Sequence, residues 1–260
     1  MGALLEARGV SIRFGGLRAV ENVDLDVNAG EILSLIGPNG AGKTTFFNLV
    51  SGFLKPTAGT VSFMGHDITG LAPHKTAALG LVRTFQKTNI FAEVSVAESV
   101  RIGFNMKRRA SLADILMNGR VSRQENSRLA EQTDEILNFT GLSQWRSHLV
   151  RNIPYGKQRL LSVALALATE PKLLMLDEPA TGLNPVETGE LMENILKIRG
   201  ERGITVFLIE HNMNLVASVS DRVAVLRSGE KIAEGTPRQV TQNPLVIEAY
   251  LGRGFRKNAS

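Results

Sequence analysis

The sequence predicts an α/β fold with a parallel core sheet, an antiparallel N-terminal β flank and an all-helical insert. Three observations lead there. Short apolar runs of strand length alternate with helix-length periodic segments on either side of the chain's middle, the order that builds a parallel sheet. Ahead of the first run, Val23, Leu25 and Val27 alternate with Asp24, Asp26 and Asn28, as in a half-buried antiparallel strand. From about residue 87 to 168 the spacing is helical, with little strand signal.

After the alternating strand, Ala29-Gly30 turns into Glu31 to Ile36, an apolar run suited to a buried strand. A glycine-rich segment follows, then helical spacing over Thr44 to Phe53. Lys55-Pro56-Thr57-Ala58-Gly59 reads as a turn, Thr60 to Phe63 as a short strand, and Leu81 to Phe85 as another that ends at Gln86. Ser95 to Phe104, Ser127 to Phe139 and Lys157 to Ala168 read as the helices of the insert. Strands return at Leu173 to Leu176, Ile204 to Ile209 and Arg222 to Leu226, with a helix over Val186 to Arg199 between the first two. The expected organisation is a core of residues 1–86 plus 169–252, a helical subdomain over 87–168 and a frayed polar tail over 253–260.

With 260 residues, 43% hydrophobic and 21% charged, the chain is a folded one of one or two domains. The absence of cysteine excludes disulfides, thiol catalysis and cysteine-ligated zinc, and four scattered histidines argue against a histidine-rich metal site. No apolar run approaches the roughly 18 residues of a membrane span. The N-terminus, Met1-Gly2-Ala3-Leu4-Leu5-Glu6, is not read as a signal peptide. A membrane role is therefore expected only through partners. The formal charge of +5 and a pI near 9.7 would alone point to nucleic acid or an anionic membrane face. The excess is local: residues 101–130 hold Arg101, Lys107, Arg108, Arg109, Arg120, Arg123 and Arg128 against Asp114 and Glu125, and the rest of the chain is balanced. That stretch is either a solvated face of the insert or a contact with a membrane partner or anionic lipid.

Gly37-Pro38-Asn39-Gly40-Ala41-Gly42-Lys43-Thr44-Thr45 fits the pattern G-x-x-x-x-G-K-[ST], between a buried strand and a helix start. Glycines let the backbone wrap phosphates, and the amides at the helix N-terminus point at the anion. Lys43 can reach the β- and γ-phosphates, and Thr44 can supply a hydroxyl to Mg²⁺. The segment predicts binding of a nucleoside triphosphate. Leu173-Leu174-Met175-Leu176-Asp177-Glu178 is an apolar strand ending in two carboxylates. Beside a P-loop, Asp177 is placed for the magnesium, and Glu178 for the general base toward a water that attacks the γ-phosphate.

Taken together these residues resemble the ATP-binding-cassette (ABC) ATPases over nearly the whole chain, which implies their P-loop NTPase fold with a RecA-like core. The resemblance implies ATP and Mg²⁺ as ligands. It makes Gln86, in Thr84-Phe85-Gln86, the Q-loop glutamine that touches Mg²⁺ or water, and His211 the histidine near the γ-phosphate that orients the water or Glu178. Phe14 takes the place of the aromatic that stacks on adenine. Ile153-Pro154-Tyr155-Gly156-Lys157-Gln158-Arg159 sits where the signature motif opens a helix toward the ATP of a second subunit, so Pro154, Tyr155, Gly156 and Lys157 are implied nucleotide contacts. Two departures are plain: Pro154 replaces the signature serine, and Asn184 replaces the D-loop aspartate.

Within the family, the proline-bearing signature, the run from Asp177 to Pro185, Ile209-Glu210-His211-Asn212-Met213 and the ending from Ile232 to Gly252 are most similar to ATPase subunits of branched-chain (hydrophobic) amino-acid uptake systems. Systems for urea or short amides share much of that ending. The resemblance implies a second ATPase subunit of the same or a similar chain, two transmembrane permease subunits, a soluble substrate-binding protein, and a peripheral position on the cytoplasmic face of the inner membrane. The rival class is a DNA-repair or chromosome-maintenance ATPase with the basic stretch as its footprint. Such proteins carry coiled-coil arms or zinc modules that this chain lacks, so no nucleic acid is expected. A soluble cassette for cofactor assembly has no motif here.

Overall fold

The computed structural model describes residues 2–84, 92–104 and 120–251, with only the backbone described for 120–126 and Leu251. Gln86, the Phe85 end of its strand, the Lys107, Arg108 and Arg109 cluster with most of the basic stretch, and the tail 253–260 lie outside those residues. The described residues form two compact units, one within Met1–Arg83 and Lys172–Ser260, the other within Thr84–Pro171.

In the first unit, β1 (Ala3–Phe14), β2 (Leu17–Asn28), β4 (Ala58–Phe63) and β5 (His66–Asp67) make an antiparallel sheet in the order β2-β1-β4-β5. The alternation in β2 changes parity: Val23, Leu25 and Val27 are buried, but so is Val20. An extra residue lies between the pairs Val10↔Val23 and Ile12↔Val20, where Asn22 takes φ 47, so a β-bulge resets the inward face. A matching extra residue on β1 falls at Gly9, φ 59. Gly59 of β4 backs onto it so closely that a Cβ there would lie 2.4 Å from the Gly9 carbonyl.

The second sheet runs β10-β9-β3-β8-β7-β6. Its strands β3 (Ile32–Ile36), β6 (Leu81–Arg83), β7 (Leu173–Asp177), β8 (Thr205–Ile209) and β9 (Arg222–Arg227) are mutually parallel, and β10 (Glu230–Gly235) returns antiparallel to β9. Ser228 and Gly229 join β9 to β10 with φ 50 and 85, the positive values a two-residue type I′ hairpin needs. Successive residues face opposite cores. Leu33, Leu35, Phe207 and Leu226 pack with the inner faces of β1, β2 and β4 around Phe46 and Phe47 of α1 (Lys43–Val50). The Phe47 and Phe207 rings lie 4.6 Å apart. Ile36, Val223 and Val225 face the other way, onto Val216 of α7 (Met213–Val219), Val240 of α8 (Pro237–Thr241) and Val246 of α9 (Pro244–Leu251). Each such fully buried side chain contributes roughly 1.5–3 kcal/mol. The parallel core and the antiparallel flank are as the sequence predicts. The helix expected to reach Phe53 stops at Val50, and α6 (Pro185–Arg202) runs three residues beyond Arg199. No sequence expectation covers β1, β5, β10, α2 (Pro73–Ala78), α7, α8 or α9.

The second unit is helical: α3 (Val96–Phe104), α4 (Arg120–Phe139) and α5 (Tyr155–Leu167), with 3₁₀ turns at Ser143–Trp145 and Val150–Asn152 and one isolated bridge, Ser95↔Leu149. Ser95 caps α3 through a capping box: its hydroxyl accepts from the Glu98 N–H, and Glu98 accepts from the Ser95 N–H at 2.9 Å. Gly103 lets α3 approach α5, since a Cβ there would lie 2.8 Å from the Leu165 carbonyl oxygen and 2.7 Å from the Ala168 Cβ. No helix among the described residues is long and apolar enough to cross a membrane.

Candidate active site

The P-loop joins β3 to α1, and two of its glycines are required by close approach. A Cβ on Gly37, φ 150, would lie 2.1 Å from the Leu226 carbonyl oxygen, and one on Gly42, φ 100, would lie 2.4 Å from that of Ala19. The neighbours that crowd the loop also hold it: the Gly229 N–H donates to Ala41 O at 3.0 Å, and the Glu21 N–H donates to Gly229 O at 2.9 Å. α1 has Gly42 as its N-cap and no capping side chain, which leaves first-turn amides directed at the loop's concavity.

Asn39, Gly40, Ala41, Gly42, Lys43, Thr44 and Thr45 line a cleft of about 530 Å³, together with Glu178, Leu17, Arg18, Ala19 and Ser228. Lys43 is buried, and its Nζ donates to the carbonyls of Gly37 at 2.8 Å and Pro38 at 3.1 Å. Burial pulls its ammonium below the usual lysine range, against the opposing field of Glu178 and Asp177. Thr44 is exposed on the first turn.

Asp177 closes β7 and is buried. Its Oδ2 accepts from Arg83 Nη2 at 2.6 Å, whereas its Oδ1 has no hydrogen-bond partner among the described residues. A buried orphan carboxylate oxygen, with the hydroxyl of Thr44, suits Mg²⁺, which takes few protein ligands when phosphates and waters supply the rest. No group of three His, Cys, Asp or Glu side chains among the described residues could hold a metal by itself. Glu178 adopts φ 45, a left-handed conformation that non-glycine residues rarely take. Its N–H donates to Ile209 O at 3.0 Å and its Oε2 accepts from the Thr181 hydroxyl at 3.3 Å, while the side chain borders the cleft.

Glu210, which the sequence reading passed over, is a buried carboxylate at the end of β8. Oε1 accepts from the Ala180 N–H at 2.9 Å, and Oε2 accepts from the N–H groups of His211 at 3.1 Å and Asn212 at 3.3 Å. It thereby ties the loop leaving β7 to the loop leaving β8. The His211 side chain is 57% exposed and does not line the cleft. Phe14 stands half-exposed at the end of β1 and is not among the lining residues, whereas Leu17, Arg18 and Ala19 on the returning strand are. In the helical unit, Pro154 is the N-cap of α5 and Tyr155, Gly156 and Lys157 form its first turn, so the helix starts two residues earlier than its spacing predicts. Pro154 itself has no side-chain group that could cap it. Asn184 is likewise an N-cap, of α6, and its Oδ1 accepts from the N–H groups of Val186 and Glu187. Leu17, Arg18, Ala19 and Ser228 line the cleft, and Arg83 and Glu210 support it, without belonging to any of the motifs. Only Ser228 carried a local signal, a Ser-Gly dipeptide between two strand-length segments.

A family model described as ABC transporter matches residues 20–181, and one described as branched-chain amino acid ATP-binding cassette transporter matches residues 230–256. The chain is 44% identical over 249 residues, 96% of its length and 98% of the relative's, to the high-affinity branched-chain amino acid transport ATP-binding protein LivG of Escherichia coli strain K12. It is 42% identical, with the same coverage, to the protein of that description called BraF in Pseudomonas aeruginosa. The crystal structure of an ATP-binding cassette of an ABC transporter in its ADP conformation superposes with a TM-score of 0.85 at 32% identity, covering 97% of this chain and 100% of that one. The chain therefore belongs to the ABC transporter family, as one of its ATP-hydrolysing cassettes.

Proposed function

We propose that this ATPase energises bacterial uptake of branched-chain amino acids, working as a pair of cassettes beneath two membrane permease subunits fed by a soluble binding protein. The observation that carries the site reading is the cleft that the P-loop and Glu178 line together. Residues 230–256 and the LivG and BraF relatives support the branched-chain substrate over urea or short amides. Attachment to the cytoplasmic membrane face through the permeases follows from the same reading.

In this mechanism the P-loop amides and Lys43 bind the phosphates, and Glu178 accepts the proton of the attacking water. Asp177, Thr44 and Gln86 would hold Mg²⁺, which when bound neutralises charge on the β- and γ-phosphoryl oxygens. His211 orients the water or Glu178, Phe14 stacks on adenine, and the α5 start at Pro154, Tyr155, Gly156 and Lys157 meets the γ-phosphate bound by the partner cassette. Residues 87–168 serve as the signature-bearing subdomain, coupled to the permease. Positioning and charge neutralisation lower the barrier without a covalent intermediate.

Glu178→Gln tests this reading. With the permeases present, it should keep ATP binding and lower phosphate release by roughly 10²–10⁴-fold. Hydrolysis at the parent rate would show that another group is the base. Vesicles carrying the reconstituted permeases and binding protein should take up labelled leucine, and not urea, in an ATP-dependent way.

A further inference from the structure

Arg83 ends β6, in the chain just ahead of Gln86, and none of the nucleotide motifs contains it. Its guanidinium is held on several sides. Nη2 donates to Asp177 Oδ2 at 2.6 Å, and Nη1 donates to Asn48 Oδ1 at 2.6 Å and to Ser51 Oγ at 3.3 Å. The Phe47 and Phe53 rings flank it, with centroids 5.7 and 5.5 Å from Cζ. The Arg83 side chain is 12% exposed and that of Asp177 3%. Asn48 lies one turn beyond Thr44 on α1, and Ser51 is that helix's C-cap. One planar cation therefore links the P-loop helix to the carboxylate at the end of β7, engaging only Oδ2 and leaving the buried Oδ1 without a partner among the described residues.

A carboxylate that must present one oxygen in a set direction needs the other oxygen fixed, and such supporting contacts are worth 10–100-fold in metal affinity. A lysine's point charge could not hold Asn48 and Asp177 in one plane as the guanidinium fork does. We infer that Arg83 is a positioning residue for the magnesium-bound nucleotide: it fixes the Asp177 carboxylate against α1 so that Oδ1 is presented alongside the Thr44 hydroxyl. This rests on the reading of Asp177 and Thr44 as the metal-facing side of the site.

The test is Mn²⁺ binding to the ADP-loaded full-length chain, followed by electron paramagnetic resonance of free Mn²⁺. The variants are Arg83→Met, Arg83→Lys, Asn48→Ala and Asp177→Asn, with melting curves and ADP binding in EDTA measured alongside. Arg83→Met should weaken Mn²⁺ binding about tenfold or more, Arg83→Lys should recover part of that, and Asn48→Ala should show a smaller loss, with ADP binding in EDTA at the parent value. Mn²⁺ affinity that is unchanged or tighter in folded Arg83→Met overturns the inference, and a tighter value would make Arg83 a competitor for Asp177. If Arg83→Met does not fold, Asn48→Ala decides on the same criterion. If the parent takes up no Mn²⁺ with ADP, or Asp177→Asn binds it undiminished, the metal reading itself falls and the inference with it.

Discussion

Among the described residues, helices begin in two ways. At α6, α7 and α8 a side chain folds back on the first-turn amides: Asn184, Asn212 and Thr236, the first and last with a reciprocal Glu187 or Gln239. At α1 and α5 the N-caps are Gly42 and Pro154, which offer no such group. The six-residue α2 also lacks one, but Pro73 in its first turn removes one of the orphan donors. A capped start is completed by the chain itself. Gly42 and Pro154 bring no side-chain oxygen to these amides, and they open the two starts that the proposed mechanism assigns to phosphate. Helix ends that look unfinished are thus informative where the neighbouring ones are finished with care.

Four substitutions and one titration would break or sharpen that contrast. Gly42→Ser would give α1 a capping hydroxyl, but at φ 100 and against the Ala19 carbonyl it should destabilise the fold by about 3 kcal/mol in urea denaturation and abolish binding of a fluorescent ATP analogue. A gain in stability would show that the added cap outweighs the loop's need for a residue without a Cβ. Asn184→Ala should lose about 1 kcal/mol, and Asn184→Asp should retain it, because either side-chain oxygen caps α6. Pro154→Ser should change stability by less than about 0.5 kcal/mol, since the new cap is offset by a freer unfolded chain. A larger gain would mean that the open start of α5 is held at a stability penalty. The smallest effect concerns the finished box of α3. The Ser95 hydroxyl and N–H hold the Glu98 carboxyl below the usual glutamate range. Its contribution is complete above that range and lost as pH falls through the depressed folded value. Carboxyl NMR titration checks this, and an ordinary or raised value would remove the box as a source of acid-sensitive stability.

The parts of the site that were legible in the sequence are those whose chemistry is local. The P-loop is nine consecutive residues between an apolar run and a helix, and Asp177-Glu178 directly follows four apolar residues. Arg83 was not legible, because its partners Asn48, Ser51 and Asp177 lie 35, 32 and 94 residues away and meet only where α1 packs beside β6 and β7 in the folded chain. Glu210 was hidden for the same reason: Ala180 is 30 residues distant. In the flank, the bulges at Gly9 and Asn22 reset the inward face of β1 and β2, so a strict period of two follows only part of each strand. α7 and α8 are 7 and 5 residues long, shorter than any window in which a helical period can be counted. The α8 start was nonetheless readable as Thr-x-x-Gln, a capping signal that needs no period.

The Glu210 carboxylate has a consequence for how this region opens. Three amide protons, on Ala180, His211 and Asn212, share one buried acceptor. None can be released to solvent singly without leaving that carboxylate less satisfied in a low-dielectric surround. Deuterium should therefore enter these three positions together, as one exchange unit spanning two loops that are distant in the chain. Whatever displaces His211 then registers at Ala180, two residues from Glu178.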